Sequence, residues 1–404
     1  MNYIINNINI LYGNDLELHK NKCLWIKEGY IYKILGQKDI PSDVPVIDGE
    51  GKYVIPGLID LHVHIMWDGS SDPVKTTEED GYEQMIIRAV SHCQDYINNG
   101  ITTIRDIGSI DDIAIYISNA VKEKILKGPK IIASGKTLTM TGGHDPFWAR
   151  FIDGKDEALK GVREQIFKGS EVIKLSASGG VYGRTEGEKA TNAELSLEEQ
   201  TVICDEAHKF GLKVASHAIA REGILNSILA NVDTIEHGHY LDEELITMME
   251  ERGIAWIPTL FVYRQIASEE VIPDYARKKA KEVTDIHAQA FKNFFNRDIL
   301  IGAGSDAGSP LTPHPSLLDE ILAMYETVQD RRRVLKTATV NAGFILEKEV
   351  GQIREGFIAD FILLEKNPLE KLEYLKEIDC VYINGEMVKK QGYTCDGSES
   401  ISVL

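Results

Sequence analysis

Two histidines one residue apart, His62 and His64, close the apolar run VIPGLIDLHVHI (Val54–Ile65). On a strand, residues two apart point to the same side, so both imidazoles face one point. Two nitrogen donors aimed at one centre make half of a metal site, although two half-exposed histidines on a sheet give the same short pattern. More residues able to do chemistry close other apolar runs: Lys174 in EVIKLSAS, His217 in KVASHA, His237 in DTIEHG and Asp306 in ILIGAGSDAG. Each has a plain explanation by itself. The lysine could snorkel, the histidines could be satisfied in a core, and the aspartate could cap a following helix. Chance seldom puts such residues at the same end of five different strands.

Their joint chemistry is that of a two-metal site. Neutral imidazoles and carboxylates suit zinc, and also manganese or iron. Lys174 is the odd member, because two dications would repel an ammonium. Burial among apolar residues lowers a lysine's pKa, and the free amine can take up carbon dioxide to give an anionic carbamate. A carbamate would bridge two metals as a long-armed carboxylate. The expected cofactors are therefore two divalent metal ions, with zinc the leading choice, and carbon dioxide as the N6-carboxyl group of Lys174.

Elements with a βα rhythm must hold these groups. The runs Ile101–Gly108, Lys130–Gly135, Glu171–Ser178, Lys213–Ala218, Asp233–Gly238, Ile254–Leu260 and Ile299–Gly308 read as strands, and the His62 strand makes eight. Helical patterns such as Asp80–Asn99 and Ser196–Phe210 lie between them. Eight strand–helix units predict an α/β fold, a parallel (β/α)8 TIM barrel. A doubly wound sheet is the alternative, but no Gly-rich phosphate loop follows the first strand. Polar insertions after the third strand (Lys136–Asp153) and the fourth (Gly179–Leu195) would lie over the catalytic face. Both chain ends have a different texture, with short alternating runs before Tyr53 and again over Gly351–Tyr393, where Asn384–Gly385 is a hairpin signal. These ends are expected to pair into a small β-sandwich domain. The predicted layout is sandwich over 1–55, barrel over 56–349, and sandwich with a tail over 350–404.

Composition narrows the function class. The 404 residues carry a formal charge of −19, which argues against nucleic acid and anionic membranes as partners. Five scattered cysteines without a C-x-x-C pair suggest reduced thiols and a cytoplasmic protein. The N-terminal residues lack a basic region leading into an apolar core, so no signal peptide is expected. No apolar run approaches membrane-spanning length.

The motif set resembles the amidohydrolase superfamily in PGLIDLHVHI, the strand lysine, VASHA, IEHG and GSDAG, with GQIREGFIADFILLE resembling its return to the small β-domain. SASGGVYG (Ser176–Gly183) and TGGHD (Thr141–Asp145) resemble the imidazolonepropionase-related group, which includes Xaa-Pro dipeptidases and small-peptide carboxypeptidases. Position by position, the resemblance implies that His62, His64 and Asp306 hold one metal and His217 and His237 a second, with the Lys174 carbamate between them. It further implies attack by a hydroxide held between the metals, with Asp306 taking its proton and passing it to the leaving nitrogen.

Substrate groups come from the loops. His144 would hydrogen-bond the substrate carbonyl or carboxylate, as its match in the resembling group does. Tyr240, just after EHGH, could donate its phenol to an oxyanion, or simply pack. Tyr182 and Arg184 could bind a carboxylate, and His314 is a candidate for the pocket rim. His239 is set aside because Gly238 turns the chain, and His19, His92, His208 and His287 read as ordinary. Trp256 and Phe261 fit packing.

The expected function is hydrolysis of an amide or peptide bond in a small substrate, a dipeptide such as Xaa-Pro or an N-acyl amino acid. Alternatives on the same scaffold are hydrolysis of a cyclic amide or amidine, including deamination, and lactone or phosphoester cleavage. The partner is a small molecule, and self-association into a homo-oligomer is expected.

Overall fold

The computed structural model describes residues 1–183 and 188–390, which fall into two compact units. The first unit contains Met1–Ile59, Cys93–Thr103 and the segment beginning at Gln329; the second contains Asp60–His92 and Ile104–Val328.

In the first unit the two ends of the chain share one eight-stranded sheet. Asn2–Tyr12, Glu17–Lys27 and Tyr30–Gly36 form an antiparallel meander, as their alternation predicts. Val46–Asp48 and Tyr53–Pro56 pair with the first strand in parallel. Phe361–Leu364 then runs antiparallel to Tyr53–Pro56, so the C-terminal strands extend the N-terminal sheet. The hairpin Ile378–Ile383/Glu386–Lys390 turns at Asn384 (φ 51°) and Gly385 (φ 73°), the left-handed pair that a two-residue turn requires. Successive residues of the first strand enter two different apolar clusters. Ile5, Ile8 and Ile10 pack with Leu24, Val54 and Phe361, whereas Ile4 packs with Cys23 and Val44.

The second unit has the βα rhythm. Leu58–Val63, Ile101–Asp106 and Lys130–Ala133 form one sheet in that order. Val172–Ser176, Lys213–Ala218, Thr234–His237 and Ala255–Ile257 form a parallel series in a second sheet. Their uninterrupted burial explains why the sequence shows apolar runs rather than alternation. Glu171 N donates to Ala133 O at 2.9 Å, linking the two sheets.

The eighth expected strand, Ile299–Gly308, is not continuous. It forms single parallel bridges, Ile301 with Trp256 and Ala307 with Val63. The cause is local: Asp306 is left-handed (φ 58°), and a Cβ at Gly304 would lie 2.7 Å from that of His62. The segment still bonds on both sides, Gly302 N to Trp256 O (2.9 Å) and Leu61 N to Ala303 O (3.0 Å). The expected Asp80–Asn99 helix is present as Tyr82–Asn98, with a separate short helix, Pro73–Glu79, before it. Leu197–Lys209 starts where expected, with Ser196 and Glu199 forming a capping box. The Lys136–Asp153 insertion contains two short strands, Thr137–Thr139 and Ala149–Phe151, paired in parallel.

Cys23, Cys93, Cys204 and Cys380 are free and buried. No helix among the described residues is long and apolar enough to cross a membrane.

Candidate metal centre

His62, His64, Lys174, His217, His237 and Asp306 all line one cleft. The strands bring them there: His237 closes its strand, His62 and His217 are next to last in theirs, His64 follows one directly, Lys174 is two residues from the end of its own, and Asp306 precedes the bridged Ala307. His62 Nε2 and His64 Nε2 lie 3.6 and 3.3 Å from Asp306 Oδ1. Among the described residues this trio is a cluster able to hold a cation, with one atom from each residue within 4.8 Å of the others. His217 and His237 complete the group, their ring centroids 4.7 Å apart and His237 5.0 Å from His62.

Hydrogen bonds choose which imidazole nitrogen faces the cleft. His62 Nδ1 lies 3.0 Å from Glu236 Oε2, and His64 Nδ1 lies 2.9 Å from the Gly108 carbonyl. Both partners only accept, so Nδ1 carries the proton and Nε2 offers its lone pair. The Thr259 hydroxyl donates to Pro258 O (2.7 Å), so His237 Nδ1–H donates to that hydroxyl, also at 2.7 Å. His217 reverses the pattern: Nε2 donates to Gly179 O at 3.2 Å, leaving Nδ1 free. Burial first, then neighbouring positive charge, pushes His217 and His237 well below the usual histidine range, so both are neutral. Burial would raise Asp306, but His62 and His64 hold it below the usual carboxylate range. Imidazole nitrogens and an ionised carboxylate converging on one space form a donor set that fits divalent cations. Lys174 is about 2% exposed, and burial lowers its pKa despite nearby Glu236, Asp145 and Asp306.

Two ligands sit on strained backbone. His237 (φ 69°) and Asp306 (φ 58°) are left-handed, as is Thr259 (φ 52°), the residue that holds His237. Left-handed non-glycine residues are uncommon, and such strain gathers at functional sites. Behind the ligands lie supports that motif reading missed. Asp60 accepts from Ser305 N (2.9 Å) and Ser305 Oγ (2.5 Å), fixing the turn that carries Asp306. Arg105 donates to Glu236 Oε1 (2.7 Å), Thr234 Oγ1 (3.1 Å) and Leu61 O (2.6 Å). A signal was available, because charged side chains inside otherwise apolar strands are seldom buried without partners.

His144 lines the cleft and stacks on His217 at 4.2 Å. Its Nδ1 meets Glu188 Oε1 at 2.6 Å and its Nε2 meets Asp145 Oδ1 at 3.0 Å. Burial opposes the cation, but these carboxylates hold His144 up at about 9. Glu188 is in turn bridged to Lys279 (3.1 Å) and held down to about 2 against the burial that would raise it. Gly180 is essential here, since a Cβ would sit 2.0 Å from the His144 ring.

Other expected substrate groups are placed differently. Tyr182 lines the cleft with its ring, but its hydroxyl donates to Asp72 and accepts from Val74 N (3.1 Å), so it is committed within the protein. Tyr240 lines another depression, with Thr191, Arg221 and Leu225, and it is Tyr263 that joins Tyr182 in the cleft. The turn after His237 carries Tyr240 outward, Gly238 being left-handed (φ 68°). His314 is half-buried, stacks on His92 at 4.1 Å, and is absent from the cleft lining. Arg184 lies outside the described residues. His239 stays apart from the ligands, stacked on His287 at 3.9 Å. Trp256 does more than pack, donating Nε1–H to the His237 carbonyl at 2.8 Å.

The amidohydrolase family model matches residues 53–388, a span that holds every candidate ligand described above. This chain belongs to the amidohydrolase family. It is a hydrolase acting on carbon–nitrogen bonds, of a family that is generally metal-dependent. Among similar proteins is the ochratoxinase of Aspergillus niger, 27% identical over 95% of this chain and 86% of that protein. A solved Xaa-Pro dipeptidase with methionine in its active site is 27% identical, with a TM-score of 0.88 over 96% of this chain and 100% of its own. A prolidase complexed with N-methylphosphonate-L-proline is 28% identical, with a TM-score of 0.89 over 97% of this chain and all 100% of its own.

Proposed function

We propose that this enzyme is a two-metal hydrolase that cleaves the amide bond of a small substrate, a dipeptide such as Xaa-Pro or an N-acyl amino acid. The convergence of His62 and His64 on Asp306 Oδ1, with His217, His237 and Lys174 on the same cleft, carries the reading. Under it, His62, His64 and Asp306 would hold one ion and His217 and His237 a second, and an N6-carboxylated Lys174 would supply a further anionic donor. Two bound cations, zinc for preference, supply Lewis acidity and lower the pKa of water. The prolidase and Xaa-Pro dipeptidase among the similar structures support the substrate class. The barrel and the separate β-sandwich belong to the same proposal: bonds from Glu171 to Ala133 and from Leu61 to Ala303 support closure of the strands into a (β/α)8 ring.

The residues divide the remaining work. Ser309 Oγ–H also donates to Asp306 Oδ1 (2.9 Å), so the named contacts gather on one oxygen and Oδ2 remains to take a proton from water. That proton then passes to the leaving nitrogen. Tyr263, whose phenol burial keeps protonated, replaces Tyr240 as the hydroxyl donor at the cleft. His144, a cation clamped by Glu188 and Asp145, supplies fixed positive charge beside His217 for a substrate carboxylate.

Elemental analysis beside an assay of Xaa-Pro dipeptides and N-acyl amino acids tests this. About two divalent ions per chain with release of free amino acid is the expected result. Two ions with cleavage only of cyclic amides or lactones would reject the substrate class, and a single ion would reject the bridged pair.

A further inference from the structure

Among the described residues two carboxylates line the metal cleft, Asp306 and Asp145. Asp306 is committed to the candidate ligands His62 and His64. Asp145 comes from the loop TGGHD, where its backbone is left-handed (φ 57°) just before the turn Pro146–Trp148. Its carboxylate is open to the cleft: the side chain is 11% exposed, against 10% for Asp306, the group expected to meet water. Oδ1 lies 3.0 Å from His144 Nε2, and among the described residues no donor is hydrogen-bonded to Oδ2. A carboxylate more than nine-tenths buried normally has its oxygens satisfied, so a free oxygen facing the cleft marks a place where a ligand brings the donor.

The surrounding charges select the sign of that ligand. His144 has a counterion of its own in Glu188, at 2.6 Å, and Glu188 is bridged to Lys279. Glu194 accepts from His144 N at 2.8 Å. Two cations, His144 and Lys279, thus meet three carboxylates, Glu188, Glu194 and Asp145, which leaves one formal negative charge over. A primary ammonium group balances it, being a compact cation whose donors can turn toward a single oxygen. His144 also stacks on His217 at 4.2 Å, so Asp145 is one side chain away from the candidate metal ligands. An α-amino group is likewise one carbon away from the carbonyl that the metals would polarise.

We infer that Asp145 anchors the free α-ammonium group of the substrate residue that supplies the scissile carbonyl, and so favours dipeptides with a free amino terminus over N-acyl amino acids. This rests on the amide-hydrolase reading. Oδ1 stays with His144, and Oδ2 receives the ammonium.

Matched amides that differ only in the amine test it on the metal-loaded enzyme: alanyl-proline against propionyl-proline, and alanyl-phenylalanine against propionyl-phenylalanine. In the parent, kcat/KM should favour the alanyl member of each pair. In Asp145→Asn that ratio should fall about 10- to 100-fold, the worth of a hydrogen bond to a charged group. Asparagine, and glycine in a second variant, Asp145→Gly, both tolerate the left-handed backbone. A merely structural role for Asp145 would lower both members of a pair together, and an unchanged ratio overturns the inference. A ratio near one in the parent overturns it as well. Calorimetry with alaninamide and propionamide, with metal content measured beside it, reads the same discrimination without turnover. Equal binding of the two, or an alaninamide preference that persists in both variants and so places the amine on the metals, also overturns the anchor. A preference lost in Asp145→Asn, with none of the amides hydrolysed, keeps the anchor and rejects the hydrolase reading. Cleavage of alanyl and propionyl substrates alike rejects the anchor alone.

Discussion

His62 and Glu236 meet across 3.0 Å in the interior, and this one contact fixes which nitrogen of His62 faces Asp306. Glu236 is fully buried, and it is held down to about 2 against burial by Arg105 and His62. The arrangement is a carboxylate–histidine pair with its own buried counterion, so ligand orientation and the stability of the strand ends depend on the same carboxylate.

Glu236→Gln retains an oxygen for the His62 Nδ1–H but removes the charge that Arg105 balances. Metal affinity, read by chelator competition, should fall about 10- to 100-fold. Glu236→Leu strands the Arg105 cation and should destabilise the metal-free protein by roughly 3–5 kcal/mol in urea unfolding. Unchanged metal affinity in the glutamine variant would remove Glu236 from the site.

Asp306→Asn is a mild change for the backbone, because asparagine tolerates the left-handed conformation at φ 58°. It removes the proton acceptor while keeping an oxygen near His62 and His64. Turnover should drop by about 10²–10⁴-fold with most of the metal retained. Survival of turnover in the metal-loaded variant would show that Asp306 is not the acceptor.

The six ligand candidates were legible because each needed only a strand end and a chemically able residue type. The charged supports were less so. Asp60, two residues before His62, and Glu236, beside His237, look like ordinary strand residues until their partners Ser305 and Arg105 arrive from distant segments. Loop residues failed for another reason. Tyr240 and Tyr263 are each a few residues beyond a parallel strand, and which one turns inward depends on left-handed Gly238 and Thr259, a backbone choice that composition does not encode. The parallel pairing of Val46–Asp48 and Tyr53–Pro56 was hidden similarly, since alternation reports a half-buried strand without its direction.

Lys174→Ala tests the bridge. An alanine leaves a cavity where about 2% exposure now marks a filled space, and it removes any carbamate. Metal content should fall from two ions per chain to one or fewer, a larger loss than the roughly 10–100-fold drop typical of a supporting residue. A small carboxylic acid such as propionate should restore part of the activity. Full metal content and activity in the variant would exclude a bridging role.

Glu320 gives stability a pH dependence at a distance from the ligands. It is fully buried and accepts from Leu260 N (2.9 Å) and Phe261 N (2.7 Å) at the start of the helix that carries Tyr263. Burial raises its pKa to about 8, with Asp60 adding to the rise and both backbone donors and Arg264 opposing it. The folded protein therefore binds a proton that an unfolded glutamate releases near its ordinary pKa. This contribution is complete below about pH 4 and is lost as the pH rises toward 8, on the order of 1 kcal/mol per pH unit in between. Glu320→Gln cannot titrate and keeps one acceptor. Unfolding free energies from pH 5 to 8 should fall more steeply for the parent than for the variant. Parallel pH profiles would show that Glu320 is ionised throughout, held as a carboxylate by the two backbone N–H groups.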